Sequence, residues 1–185
     1  MAGELTGKTI AFLVNTEGVE QVELTAPWDA VEEAGGIPQL VAPEPGKIQA
    51  FNHLDKGDTF PVDVALEEAD PSRFDALVLP GGVANPDQLR TRPGAVRFAK
   101  SFADSGKPIA VICHGPWTLV EAGVVRGRTL TSWPSLQTDI RNAGGTWVDE
   151  EVHTDTDGPG PIISSRKPDD LKAFCATLVE TFART

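Results

Sequence analysis

The sequence predicts a single-domain α/β fold: a doubly wound, mostly parallel, flavodoxin-like sheet sandwiched by helices and carrying a nucleophile elbow. Three observations point there. Short apolar runs of the type buried on both faces of a parallel sheet recur at 8–14, 37–42, 74–79, 109–112 and 162–164. Segments with helical apolar spacing separate them. No linker, repeat or biased stretch interrupts the alternation, so 1–185 reads as one domain.

Each element has a local cause. Lys8 to Val14 ends at Asn15 and reads as a central first strand. The stretch 16–24 reads as a loop or short helical turn, after which Pro27 opens a helix with Leu24, Trp28 and Val31 at i, i+4 and i+7. Gly35-Gly36 stops that helix, and Ile37 to Ala42 forms the next strand, completing a βαβ unit. Residues 46–64 alternate irregularly and predict a β-hairpin excursion with its turn at Gly57-Asp58. Phe74 to Leu79 is a buried strand ending in Pro80-Gly81-Gly82. Asn85-Pro86 starts a helix, and a longer one covers 93–105. Beyond the cysteine strand come a short helix closed by Gly123 and a short strand at 130–132. A helix at 136–143, short strands at 147–148, 152–154 and 162–164, and a last amphipathic helix behind Pro168 complete the chain.

The chemistry concentrates in Ala110-Val111-Ile112-Cys113-His114-Gly115-Pro116-Trp117. An apolar strand runs straight into a thiol and an imidazole, and Pro116 is a natural first-turn residue of a helix. Strand, abrupt turn and helix make an elbow that lifts Cys113 above the strand's carboxyl end. A helix N-terminus there stabilises a thiolate, and His114 supplies a proton acceptor or donor. A lone Cys ending a core strand is usually a small hydrophobe. The adjoining His and Gly-Pro favour the functional reading, since a packed core gains nothing from an imidazole.

Ligands of open parallel sheets bind outside the strands' carboxyl ends. The loop after the first strand brings Glu17, Glu20 and Glu23 there, and a protonated Glu beside Cys113 would donate to the thiolate. Pro80-Gly81-Gly82 brings unobstructed N–H groups, which with that of His114 would form an oxyanion hole.

The totals exclude more than they identify. A formal charge of −11 leaves no basic stripe for general nucleic-acid binding and disfavours anionic lipid. No apolar run is long enough to span a membrane, and the first residues lack a secretory pattern, which predicts a cytoplasmic chain with reduced thiols. His53, His114, His153 and the two cysteines show no metal spacing. There is no phosphate-binding glycine motif, so no cofactor is expected. Cys175 reads as core filler.

The elbow resembles that of the PfpI family of intracellular cysteine proteases, in the superfamily of the parkinsonism-associated protein deglycase with a class I glutamine amidotransferase-like fold. The likeness extends through Glu20-Gln21-Val22-Glu23-Leu24, through Phe74 to Gly82, through Ala122 to Arg128, through Asn142-Ala143-Gly144 and through Ser164-Ser165-Arg166. The resemblance implies Cys113 as nucleophile, His114 as its acid/base and Glu20 as the acid that hydrogen-bonds the sulfur. It implies an oxyanion hole from the N–H groups of Gly82 and His114, with Gly81 and Trp133 in the substrate pocket. Asp87 aligns with the carboxylate that reaches a neighbouring subunit's histidine, where the prototype has Glu. Trp133 stands where some members place Tyr. A homo-oligomer, at least a dimer, is implied. So is a stress-protection hydrolase acting on a reactive aldehyde such as methylglyoxal or on its protein adducts. The alternatives are a peptidase of the same family and a non-enzymatic redox sensor or chaperone that uses Cys113 oxidation.

Overall fold

A computed structural model describes residues 3–185. Strand β1 (Thr9–Leu13) is followed by β2 (Glu17–Glu20), helix α1 (Gln21–Glu33) and β3 (Ile37–Ala42). A hairpin of β4 (Lys47–Asn52) and β5 (Asp55–Pro61) leads through β6 (Val64–Ala65) to β7 (Ala76–Leu79). Helices α2 (Ala84–Leu89) and α3 (Pro93–Asp104) precede β8 (Ile109–Ile112) and α4 (Pro116–Glu121). Then come β9 (Thr129–Leu130), α5 (Gln137–Asn142), β10 (Thr146–Trp147), β11 (Val152–Asp155), β12 (Ile162–Ser165) and α6 (Leu171–Ala183).

The main sheet has the order β6-β3-β1-β7-β8-β12-β11, and only the β11–β12 pair is antiparallel. The chain winds outward from β1 in one direction, returns to β7 and winds outward in the other, which is the expected doubly wound single-domain architecture. Alternation along the strands builds two cores. Ile10, Phe12, Ala110 and Ile112 pack with Leu24, Val31, Phe174, Leu178 and Phe182 on the α1–α6 face. Ala11, Leu13, Ile109 and Val111 pack with Phe98, Phe102, Leu119 and Ile140 on the other. Shifting a strand by one residue would exchange these two sets, so register is tightly specified.

Three features differ from expectation, and all of them border the site. Helix α1 begins at Gln21 and carries Pro27 in its interior. Proline lacks the amide that would bond the Glu23 carbonyl one turn earlier, but a buried face of Glu23, Leu24, Pro27 and Val31 holds the helix together. The stretch before it is strand β2, which pairs with β4 and joins the hairpin in a separate three-stranded sheet. The hairpin turn falls at His53-Leu54, where His53 adopts φ 58, because Asn52 already pairs with Asp55. Gly57 lies within β5, close against Gln21: a Cβ there would come within 2.1 Å of Gln21 Oε1. Gln21 accepts a hydrogen bond from the Asp58 amide at 2.7 Å and donates to its carboxylate at 2.8 Å.

Candidate active site

The order of winding reverses between the parallel neighbours β1 and β7, so the connections leaving their carboxyl ends diverge and open a crevice. Asn85, fully buried on α2, ties those loops together. Its side-chain carbonyl accepts from the Asn15 amide at 2.7 Å, and its NH2 donates to the Pro80 and Gly81 carbonyls at 3.0 Å each.

Cys113 stands at the elbow with φ 63, a left-handed conformation that few non-glycine residues adopt. Its amide donates to the Ser165 carbonyl at 3.1 Å, and its carbonyl accepts from the Trp133 amide at 2.9 Å, so neighbours on both sides fix the turn. Gly115 is required by close packing, since a Cβ would lie 2.8 Å from the Leu79 carbonyl oxygen. Gly81 is tighter still: its Cβ would meet Glu23 Oε2 at 2.5 Å and Cys113 Cβ at 2.7 Å. Replacing Gly81 by Ala is therefore expected to destabilise the fold by about 1–3 kcal/mol. Denaturant unfolding measures the loss, and the same variant should show altered alkylation of Cys113, because the methyl pushes Glu23 and the thiol apart.

The carboxyl against Cys113 belongs to Glu23. Starting α1 at Gln21 turns Glu23 inward from the first helical turn, where it is fully buried, and its Oε2 accepts from the Gly81 amide at 2.8 Å. Oε1 has no ordinary hydrogen-bond partner and its carboxyl interacts with the thiol. Glu20 is placed elsewhere. As the residue capping α1 it points to the hairpin, and its carboxylate accepts from the His53 amide at 3.1 Å. The assignment of the sulfur's acid to Glu20 is thus replaced by Glu23, one helical turn further on.

Burial raises the Glu23 pKa to about 8 against the lowering contributions of Cys113 and the Gly81 amide, so the group is mostly protonated at neutral pH. Burial also pushes the Cys113 thiol up, and an ionised Glu23 would push it further. The amides of Gly82 and His114 act in the opposite sense, favouring the thiolate. Thiol and carboxyl therefore compete in a dry setting, and a protonated Glu23 removes the repulsion. The expected low thiol pKa from a helix N-terminus is not what this site displays: α4 is only six residues long, and burial outweighs it.

His114 is buried, with Nδ1 3.1 Å from Cys113 Sγ. Its ring stacks on Trp133 at 5.5 Å and meets Trp117 edge-on at 5.2 Å. Desolvation lowers its pKa to about 4, so it is neutral at physiological pH. Among the described residues only Cys113 is hydrogen-bonded to the ring. Asp87 lies exposed on α2, outside the pocket residues, and completes no triad within this chain. Cys175 is a free, half-buried thiol in α6 whose pKa burial raises to about 11.

These residues line a cavity of about 440 Å³. Glu20, Glu23, Gly82, Cys113, His114 and Trp133, all singled out in the sequence, meet there. Gly81 sits behind, against Glu23 and Cys113. Nothing in the sequence pointed to Phe51, His53 and Leu54, which reach the cavity only because β4 pairs with β2. Nor did Asn85 stand out as more than a helix start.

A family model described as the DJ-1/PfpI family matches residues 8–181, nearly the whole domain. The chain belongs to the DJ-1/PfpI family. Among its relatives is a protein named a deglycase from Thermococcus kodakarensis, 40% identical over 169 residues that cover 91% of this chain and 96% of that one. Another, from Escherichia coli, is named protein/nucleic acid deglycase 2 and is 40% identical, with 90% and 93% covered. Drosophila melanogaster DJ-1beta superimposes with a TM-score of 0.83 at 25% identity, covering 96% of this chain and 91% of that one. The DJ-1/PfpI relationship agrees with the topology. No helix among the described residues is long and apolar enough to cross a membrane.

Proposed function

We propose that this chain is a cysteine-dependent hydrolase of the deglycase type, acting on reactive α-oxoaldehydes and on their adducts with protein side chains. The observation that carries the reading is the pair of Cys113 and Glu23, a strained elbow thiol against a buried carboxyl that is mostly protonated at neutral pH.

The Cys113 sulfur adds to the aldehyde carbon, forming a C–S bond. The carbonyl π pair moves to oxygen, where the Gly82 and His114 amides stabilise it. Glu23 relays the thiol proton to that oxygen, leaving a hemithioacetal. From an amine adduct, sulfur displaces nitrogen at the same carbon, and the amine leaves with the proton. Glu23 then passes its proton to the ketone oxygen and, as the carboxylate, removes the proton from the sulfur-bearing carbon; it returns that proton to the neighbouring carbon while taking up the hydroxyl proton of the first. The first carbon is oxidised to a thioester, and the second, formerly a ketone, is reduced to an alcohol. Water hydrolyses the thioester, releasing a hydroxy acid and restoring the thiol. A carboxyl with a pKa of about 8 suits both donation and acceptance near neutral pH. Neutral His114 holds Nδ1 beside the sulfur and, without an acid of its own chain, is poorly equipped to protonate a peptide's leaving amine. That favours the aldehyde reading over peptidase action.

The test is lactate formed from methylglyoxal per chain over time, in wild type and Cys113→Ala. Many turnovers, abolished in the variant, are expected. Absence of turnover together with oxidation of Cys113 by mild peroxide would overturn the reading in favour of a redox sensor. Sedimentation equilibrium checks the accompanying expectation of a homo-oligomer.

A further inference from the structure

We propose that the open cavity beside the first turns of α3 is a second ligand site, which takes a small phosphate monoester with an apolar body. It shares no lining residue with the Cys113 cavity, and the inference goes beyond the deglycase-type reading without depending on it.

The cavity measures about 830 Å³, within the range of roughly 300–1,000 Å³ usual for small-molecule sites. Residues of α3 and of the turn before it form one wall, and the segment from Leu66 to Pro71 forms the other. That second wall is held by the chain itself. Lys107 Nζ donates to the Pro71 and Phe74 carbonyls at 2.9 and 2.7 Å, and the Asp70 carboxylate accepts from the Ser72 amide at 2.9 Å. Leu66, Ala69, Phe98 and the rings of Pro43, Pro71 and Pro93 supply apolar surface. Arg92 and Arg97 line the same space. Among the described residues the arginines in ion pairs are Arg90, Arg128, Arg166 and Arg184, so both of these guanidiniums are unpaired. Carboxylates are not scarce: the chain has 27 Asp and Glu against 16 Lys and Arg. Two unpaired guanidiniums on one cavity of so acidic a protein therefore ask for an anion from outside. Glu67 is the one acid of the lining, which leaves one positive charge in excess there. The hydroxyls of Thr91 and Ser101 are spent on the Gln88 and Arg97 carbonyls at 2.7 and 2.8 Å, so recognition falls to the guanidinium forks. A doubly charged phosphate engages both forks, whereas a monocarboxylate would neutralise only one. The apolar surface beside them receives the body that the phosphate carries.

The test is calorimetric titration of the full chain with 1-naphthyl phosphate, orthophosphate and 1-naphthol. Naphthyl phosphate is expected to bind best, and its affinity should fall as salt is added. Arg92→Gln with Arg97→Gln should weaken it about ten-fold or more, the scale for losing charge-assisted hydrogen bonds. Glu67→Gln should instead tighten it, because a repulsive carboxylate is removed, and a residue with a merely structural role would not produce that gain. Both positions lie at the surface of the cavity, so denaturant midpoints should stay close to wild type and separate lost binding from lost folding. Cys113→Ala should bind the probe as wild type does, which distinguishes this site from the thiol cavity. Absence of binding at millimolar probe, an affinity unchanged by the double arginine substitution, or weaker binding in Glu67→Gln would overturn the proposal. So would naphthol or orthophosphate binding as tightly as the ester, since each carries only half of the chemistry the cavity offers. Because the titration needs no turnover, its outcome is independent of whether methylglyoxal is processed.

Discussion

Glu23→Gln is expected to lower kcat on methylglyoxal by about a hundredfold or more, the usual scale for losing a positioned acid/base. The side-chain amide oxygen can still accept from the Gly81 amide, so the fold should survive and the loss should fall on proton transfer. Stability gives a second, independent readout. Glu23 is held at a pKa of about 8 in the folded chain, above its ordinary value of 4.5, so folded protein retains a proton that the unfolded chain has released. The associated stability is fully present below pH 4.5 and is lost as pH rises toward and through 8. The substituted glutamine has no proton to lose. The variant should therefore gain on wild type across that window by a few kcal/mol, on the order expected for a shift of several pH units, and run parallel to it above about pH 9. Denaturant midpoints at about pH 5, 7 and 9 measure this. Parallel curves throughout would mean that Glu23 is ionised in the folded chain, and the proton relay would fail with it.

Asp155→Ala should be the most destabilising substitution away from the pocket. Arg128 and Asp155 are both almost fully buried and form a short charge-assisted pair through Nε and Oδ1. Asp155 Oδ2 also accepts from the Thr129 amide at 2.7 Å, and Arg128 donates to the Gly160 carbonyl at 2.6 Å. The pair thereby joins β9 and β11 to the loop before β12. Gly158 leaves space for it, since a Cβ there would sit 1.9 Å from an Arg128 nitrogen. Removing the carboxylate strands a guanidinium in the interior and orphans an amide, at a loss of about 3–5 kcal/mol. For a chain of this size that lowers Tm by roughly 10 °C. Replacing both partners by apolar residues of similar volume should recover much of the loss. Neither residue lines the Cys113 cavity, so per-molecule activity at low temperature should change little.

How far the sequence announced this architecture varied with the kind of signal. Strands buried on both faces, such as Ile109–Ile112 and Ala76–Leu79, are unbroken apolar runs that little else explains. The Cys113 elbow was legible because an imidazole and Gly-Pro follow the run at once. The acid was harder. Glu17, Glu20 and Glu23 are spaced by three, which distinguishes none of them, and Pro27 reads naturally as a first helical residue. Tertiary packing against Phe12, whose ring lies 5.1 Å from that of Trp28, instead carries the helix through its proline back to Gln21. The resemblance alone had singled out Glu20, whereas the helix start at Gln21 turns Glu23 inward. Strand β2 was invisible for a related reason: Glu-Gly-Val-Glu has little strand character, and its partner β4 is thirty residues away.

Because the Cys113 amide bonds to Ser165, the site matures late in a chain emerging from the ribosome. Glu23, Gly81 and Asn85 can come together once β7 has been made, but the cysteine turn lacks its outer support until β12 follows. Until then β8 pairs with β7 alone, and the Cys113 amide lacks its Ser165 partner on the other side. Long-range pairing of this kind forms late in folding. The newly made chain thus acquires its positioned nucleophile only as the sheet is completed, and a copy truncated before β12 carries the thiol without the machinery around it.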